Sequence, residues 1–168
     1  MKKIWSLLVC VLVLSLLFSG CDTLFYDSSA STEEDEVSTE LEEEFYDLVC
    51  ETQELLDIVA DDIYNYWYDC IYEDKYREDI TYAVACAKAD NEENLETIEA
   101  NTEEIKDLYK EIKGGELKSE VKAVMQAYND YYALVVEVSG SFNSYSESKE
   151  DFKKKLSSAL SDLSFELD

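Results

Sequence analysis

Histidine is absent from the 168-residue chain. Ser-His-Asp and Cys-His catalysis, most zinc sites and the Glu-x-x-His pairs of di-iron bundles all need an imidazole, so the sequence excludes these classes. The segment from Asp90 to Asn101 starts like an EF-hand calcium loop, but Leu95 stands where the loop requires glycine. We therefore predict no catalytic residue, no metal site and no cofactor, and expect a protein that is not an enzyme.

Proline is also absent, and glycine occurs only four times. β-Sandwiches and barrels need these residues at their turns, whereas here 32% of the residues are charged and the apolar ones recur at helical spacing. The sequence predicts an all-α fold, an elongated bundle of three to four long helices that follows a signal peptide and a disordered acidic spacer.

Basic residues are scarce, with 14 Lys and Arg against 40 Asp and Glu and a formal charge of −26. Such a charge repels polyanions, so we exclude nucleic acid as a partner. One basic cluster stands out, Lys149, Lys153, Lys154 and Lys155. We expect these lysines to pair with acids on neighbouring helices, and an acidic ligand or lipid headgroup is the alternative.

The first residues predict export. Two lysines precede an apolar run from Ile4 to Phe18, which is shorter than the ~20 residues of a typical membrane-spanning helix and is typical of a signal peptide. The next residues complete "LFSGC", which resembles the bacterial lipobox and implies cleavage after residue 20 and lipidation of Cys21. We expect the protein to be anchored to the outer face of the bacterial cell membrane through acylated Cys21, and an uncleaved anchor is the alternative.

The remaining chain divides into a flexible acidic spacer (residues 21–36) and a helical bundle domain (residues 37–168). A first helix is predicted over about residues 38–73, with Thr39 and Glu42 as its capping box. A second apolar stripe starts with Ile80, Val84 and Ala87 and ends before Gly114. Asn91 lies on its apolar side, so we expect a short break of the helix near residues 89–92, and polar groups within the seam are the alternative. A heptad-type seam, typical of a coiled coil, follows from Leu117 to Tyr145.

A kink or loop is predicted at residues 139–145, and Ser144 and Glu147 are predicted to cap the last helix. Beyond Cys21, three cysteines remain, namely Cys50, Cys70 and Cys86. Cys70 lies on the core stripe of the first helix, either as a packed thiol or in a bridge to Cys86.

The stretch "IYNYWYDCIYEDKY" (residues 63–76) is rich in aromatic residues. Ile63, Trp67 and Cys70 belong to the core stripe, whereas Tyr64, Tyr68 and Tyr72 recur every four residues on another side. A second series with the same spacing lies nearby: Asp57, Asp61, Asn65 and Asp69. Tyr64, Tyr68 and Tyr72 form the candidate interaction surface, or alternatively a packing face for another helix.

Several segments together resemble a family of small helical lipoproteins from Gram-positive bacteria. The resemblance rests on the lipobox, on Trp67 and Ile71 at the end of the first helix, and on "ENLETIEANTEEIKDLYKEIK" and "AYNDYYALVVEVSGSFNSYSES". It implies location and fold and no functional residue other than Cys21. We expect a non-enzymatic interaction or structural module with a protein or cell-wall partner; the alternative is a lipoprotein that binds a cationic or sugar-like ligand with tyrosines and carboxylates.

Overall fold

The computed structural model describes residues 30–112 and 114–167, with most side chains from residue 39 onward. This part of the chain consists of helices and short connections and contains no strand, which confirms the predicted all-α fold. The predicted signal peptide, Cys21 and residues 22–29 of the predicted spacer lie outside the described residues.

The first helix, α1, spans Ala30–Tyr72 and begins eight residues before its predicted start. It therefore includes residues 30–36, which the sequence assigned to the spacer. The predicted capping box is wrong because Thr39 lies inside α1, and Glu42 is a buried residue.

The second helical segment is divided into α2 (Ile80–Asp90) and α3 (Glu92–Ile112), which confirms the predicted break. Asn91 lies at the break and is buried, and its side chain donates to Asp62 Oδ2 (2.8 Å) and to the Ala87 carbonyl (3.0 Å). The predicted stripe of α2 is confirmed at Ala87, which is fully buried, and is wrong at Ile80, which is 41% exposed while Ala83 is buried.

The last two helices are α4 (Lys118–Val136) and α5 (Phe142–Leu167). The loop between them is earlier than predicted, so Phe142 and Tyr145 belong to α5 and not to the seam of α4. The predicted Ser144–Glu147 cap is wrong, because Ser141 and Ser144 cap each other's backbone N–H groups at 3.2 and 2.9 Å. Gly140 has a φ of 87°, and a Cβ there would meet Ser144 Oγ at 2.7 Å.

Hydrogen bonds between the helices define their directions. From α1 to α5, they join Gln53 to Ser157 and Asp61 to Lys149, so these two helices are antiparallel. Asn101 of α3 donates to Thr52 of α1 at 3.1 Å, which together with the Asn91–Asp62 bond makes the α2–α3 segment antiparallel to α1 as well. Lys88 donates to the Val136 carbonyl and Thr102 contacts Tyr128, so α4 is antiparallel to the α2–α3 segment. The helices thus alternate in direction along the chain, which is the up-down-up-down arrangement of a four-helix bundle.

The core runs through the middle of this bundle. Its fully buried residues include Phe45, Val49, Leu56, Ile63, Ile98, Ile105, Val121, Val124, Tyr128, Tyr131, Val135, Leu156 and Leu163. The apolar stripes predicted for α1, α3 and α4 are therefore confirmed in position. Among the described residues, no helix combines the length and the hydropathy needed to cross a membrane.

Candidate functional site: an aromatic and acidic surface on α1

Exposure increases along the predicted tyrosine series. Tyr64 is half-buried, Tyr68 is 41% exposed and Tyr72 is 57% exposed. Helical geometry explains this order, because 3.6 residues per turn rotate each fourth residue by about 40° relative to the one before. Tyr64 is therefore the most covered member of the series, and Tyr68 and Tyr72 present more of their rings to solvent.

Phe142, the first residue of α5, is the side chain that partly covers the series. Its ring centroid lies 5.0 Å from that of Tyr64, 6.2 Å from that of Tyr68 and 6.1 Å from that of Tyr72. Tyr68 and Tyr72 also contact each other at 4.7 Å. The three tyrosines and Phe142, which we call the aromatic cluster, thus combine a packing face at Tyr64 with an exposed surface at Tyr68 and Tyr72.

The core side of the same stretch is as predicted. Trp67 and Cys70 are each 4% exposed, and Ile63 is fully buried. The Trp67 ring contacts those of Phe142 (6.1 Å) and Tyr145 (5.6 Å), and its indole N–H has no acceptor among the described residues. Trp67 therefore joins the core to the aromatic cluster.

The acidic series of α1 contacts lysines at three of its four positions. Asp57 Oδ2 pairs with Lys153 (2.8 Å), Asp61 with Lys149, and Asp69 with Lys75 (2.7 Å). One further bond connects this series to the core: the Tyr131 hydroxyl donates to Asp57 Oδ1 at 2.6 Å. Burial together with this bond raises the pKa of Tyr131.

The predicted pairing of the basic cluster is confirmed for Lys149 and Lys153, whose partners lie on α1. Lys155 instead pairs with Asp151 of its own helix at 2.7 Å.

Lys149 occupies the most enclosed position of these lysines. Its side chain is only 11% exposed, and its ammonium lies 2.5 Å from Asp61 Oδ1, 3.3 Å from Glu150 Oε1 and 4.9 Å from the centroid of the Tyr64 ring. Burial alone lowers the pKa of Lys149, but the two carboxylates outweigh it and the pKa is raised. An ammonium group is thus held between a carboxylate and the face of a tyrosine.

The position of the Lys149 ammonium between the Asp61 carboxylate and the Tyr64 ring was not predicted from the sequence. The available signal was the matched four-residue spacing of Asp57 and Asp61 on one helix and of Lys149 and Lys153 on another.

The three cysteines Cys50, Cys70 and Cys86 are all free thiols, so the bridge considered between Cys70 and Cys86 is not formed. Burial raises the pKa of both Cys50 and Cys70. The segment that begins like a calcium loop starts at the last residue of α2, crosses the break at Asn91 and continues in α3. Residues 30–112 and 114–167 contain no group of three or more ligands able to hold a metal ion.

Among the open grooves on the described part of the bundle, three have volumes of roughly 430 to 440 Å³. One is lined by acids and Leu48 of α1 together with Glu104, one lies beside Gly140, and one lies between α4 and α5 around Lys155. Tyr64, Tyr68 and Tyr72 line none of these three grooves. The aromatic cluster is therefore a surface feature outside these grooves.

No protein-family model, curated protein or solved structure matches the chain.

Proposed function

We propose that the protein is an exported lipoprotein whose helical bundle is a non-enzymatic interaction module held at the outer face of the cell membrane. One observation carries the interaction part of this proposal: Tyr68 and Tyr72 are exposed on an acidic helix end and line none of the three grooves. Large exposed aromatic side chains are typical of contacts with another macromolecule, since they bury much area at a small entropic cost.

The anchoring part rests on residues 1–21. A diacylated cysteine holds a protein firmly without help from basic residues, and a chain with 40 acidic residues needs such an anchor because it lacks basic ones to bind anionic lipid. In this proposal Cys21 binds the bilayer, and the segment that follows it joins the bundle at the N-terminal end of α1. Tyr68 and Tyr72 lie at the other end of α1, about 50 Å from Thr39 at ~1.5 Å per residue.

The alternative, a receptor for a small cationic or sugar-like ligand, requires tyrosines and carboxylates that converge on a concave site. Small-ligand sites are concave and bury most of the ligand. The groove around Glu40, Glu43 and Glu44 is acidic but contains no tyrosine, and in the groove beside Gly140 the one tyrosine, Tyr145, is only 1% exposed. The interaction module is therefore the better supported of the two.

Substitution of Cys21 tests the anchor. We expect Cys21→Ser to move the protein from the membrane fraction to the soluble fraction and to abolish the mass increase due to lipid. Cys50→Ser is the matched control, and it should leave both measurements unchanged. A wild-type protein at the mass of the uncleaved chain without lipid would show instead that residues 1–20 remain as the anchor.

Photocrosslinking on intact cells tests the interaction surface. A photoreactive phenylalanine analogue replaces Tyr72 in one variant and the exposed Glu99 of α3 in the control variant, and crosslinked proteins are identified by mass spectrometry. We expect a protein that crosslinks from position 72 and not from position 99. If position 72 yields no protein, or the same proteins as position 99, the aromatic cluster is not an interaction surface.

A further inference from the structure

The bundle contains a site for an ammonium group, and its own Lys149 fills it. The Asp61 carboxylate contacts the ammonium from one side, and the Tyr64 ring lies 4.9 Å from it. Asp61 and Tyr64 are three residues apart on α1, which places their side chains next to each other on the helix surface. A cation between a carboxylate and an aromatic face gains from both the ion pair and the ring quadrupole.

The same pair of residue types recurs eight residues later as Asp69 and Tyr72. α5 supplies no lysine for Asp69, because α5 begins at Phe142, whose ring lies against Tyr68 and Tyr72. The lysine that pairs with Asp69 comes instead from the loop after α1. Lys75 Nζ lies 2.7 Å from Asp69 Oδ2, and the Lys75 side chain is 55% exposed.

We propose that Tyr68, Tyr72 and Asp69 bind lysine side chains of a basic segment of the partner protein, in the way that Asp61 and Tyr64 hold Lys149. The incoming ammonium takes the place of Lys75 at Asp69, and its methylene chain packs on the exposed faces of Tyr68 and Tyr72. This inference rests on the proposed function, since it names the chemistry of the partner at the same surface.

Charge complementarity selects this occupant over others. Residues 73–79, which follow the site, contain four exposed acids, Glu73, Asp74, Glu78 and Asp79, against two basic residues, Lys75 and Arg77. The whole chain has a formal charge of −26. Such a field attracts a basic protein segment and accelerates its association. It repels a second copy of this chain, an anionic membrane and nucleic acid alike.

The binding test uses the full lipidated chain in neutral detergent micelles and a capped decamer of lysine as the probe. Isothermal titration calorimetry at physiological salt measures the affinity, and the same decamer with every lysine acetylated is the control peptide. We expect the decamer to bind and the acetylated decamer not to bind. Binding of the acetylated peptide would overturn the inference, because it lacks the ammonium groups.

Matched variants separate the site from the general negative field. Asp69→Asn and Asp107→Asn each remove one acid that pairs with a lysine of this chain, Lys75 (2.7 Å) or Lys110 (2.6 Å). We expect Asp69→Asn to weaken binding about threefold and Asp107→Asn to leave it unchanged. Equal weakening by both would show diffuse attraction and overturn the inference.

Substitution of Lys75, which pairs with Asp69, provides a test in which binding should become tighter. Lys75→Gln frees Asp69 for the probe, so we expect it to tighten binding about threefold more than Lys110→Gln does. Both variants remove one positive charge, so a difference between them reports competition at the site. Identical effects of the two variants contradict the displacement of Lys75.

The aromatic contribution is tested at Tyr72. Tyr72→Phe keeps the ring and is expected to bind like the wild type, whereas Tyr72→Leu is expected to weaken binding about two- to fivefold. If Tyr72→Leu binds like the wild type, the ring is not part of the site. A position-72 crosslink to a protein together with failure of these binding tests would leave the proposed function standing and exclude only lysine recognition.

Discussion

The energy of the internal ammonium site can be measured directly by substituting Asp61. Asp61→Asn removes the carboxylate that contacts Lys149, whose side chain is 11% exposed, and leaves Glu150 at 3.3 Å as the remaining acidic partner. The Asn side chain has nearly the same shape, so the packing of α5 on α1 is preserved. The change therefore isolates the charge that Asp61 provides.

The magnitude follows from the burial of the two partners. Loss of one partner from a fully buried ion pair costs ~3 to 5 kcal/mol, whereas exposed pairs contribute ~0.2 to 1 kcal/mol. Here the lysine is buried but the Asp61 side chain is 56% exposed, and solvent screens it. We expect the free energy of unfolding to fall by about 2 kcal/mol, between these two limits.

A double variant tests the reason for this cost. Lys149→Met combined with Asp61→Asn leaves no unpaired ammonium, so we expect it to be more stable than Asp61→Asn alone. The assay is urea unfolding followed by the fluorescence of Trp67, which is the only tryptophan after the predicted signal peptide. Asp151→Asn is the control, because its exposed pair with Lys155 lies within α5 and should contribute too little to resolve.

The pH dependence provides a further check. Because the pKa of Lys149 is raised above its ordinary value of 10.5, the stabilisation by Asp61 is complete below that pH and is lost only as the pH rises through the raised pKa. The difference between wild type and Asp61→Asn should therefore be constant from about pH 6 to 9. A cost below about 0.5 kcal/mol, or a double variant less stable than Asp61→Asn, would refute the reasoning.

Three further predictions concern stability. Burial and the nearby Glu116 raise the pKa of Glu42, so the ionised Glu42 carboxylate lowers the stability of the wild type as the pH rises above 4.5. Glu42→Gln should therefore be more stable than the wild type at pH 7 and equal to it in acid. Asn91→Ala should cost about 2 kcal/mol, because it removes the bond to Asp62 and leaves the break between α2 and α3 without its buried amide. Phe142→Ala should cost about 2 kcal/mol, less than for a fully buried phenylalanine, because this ring is only half-buried.

Urea unfolding at several pH values measures all three. An unchanged pH profile in Glu42→Gln would mean that this carboxyl is not desolvated in the native state. A loss below about 0.5 kcal/mol would show that the side chain of Asn91 or Phe142 is not needed where the structure places it.

The spacing of apolar residues along the sequence predicted the buried faces of the helices well where that spacing was regular. The stripe from Phe45 to Cys70 and the seam from Val121 to Val135 are buried as expected, since one face of an amphipathic helix packs on its neighbours. Asn91 was also informative, because a polar residue on the apolar side of a helix requires either a break or hydrogen-bond partners. The structure has both.

The helix ends were predicted less well. Sequence spacing identifies many capping pairs, and only the packed chain selects among them, as it selected Ser141 with Ser144 over Ser144 with Glu147. The assignment of Phe142 and Tyr145 to α4 failed for a related reason. Their spacing continues that of α4 by coincidence across a loop whose end Gly140 and Ser141 determine.

For the candidate site, the sequence by itself determined which residues share a helix face, because a fixed rotation per residue places Tyr64, Tyr68 and Tyr72 in one series and the acids in another. It also determined the negative field around them. Only the tertiary structure decided which members are covered and which lysines pair with which acids. Those outcomes depend on where α5 begins and on its direction relative to α1, and contacts between residues far apart in the chain set both.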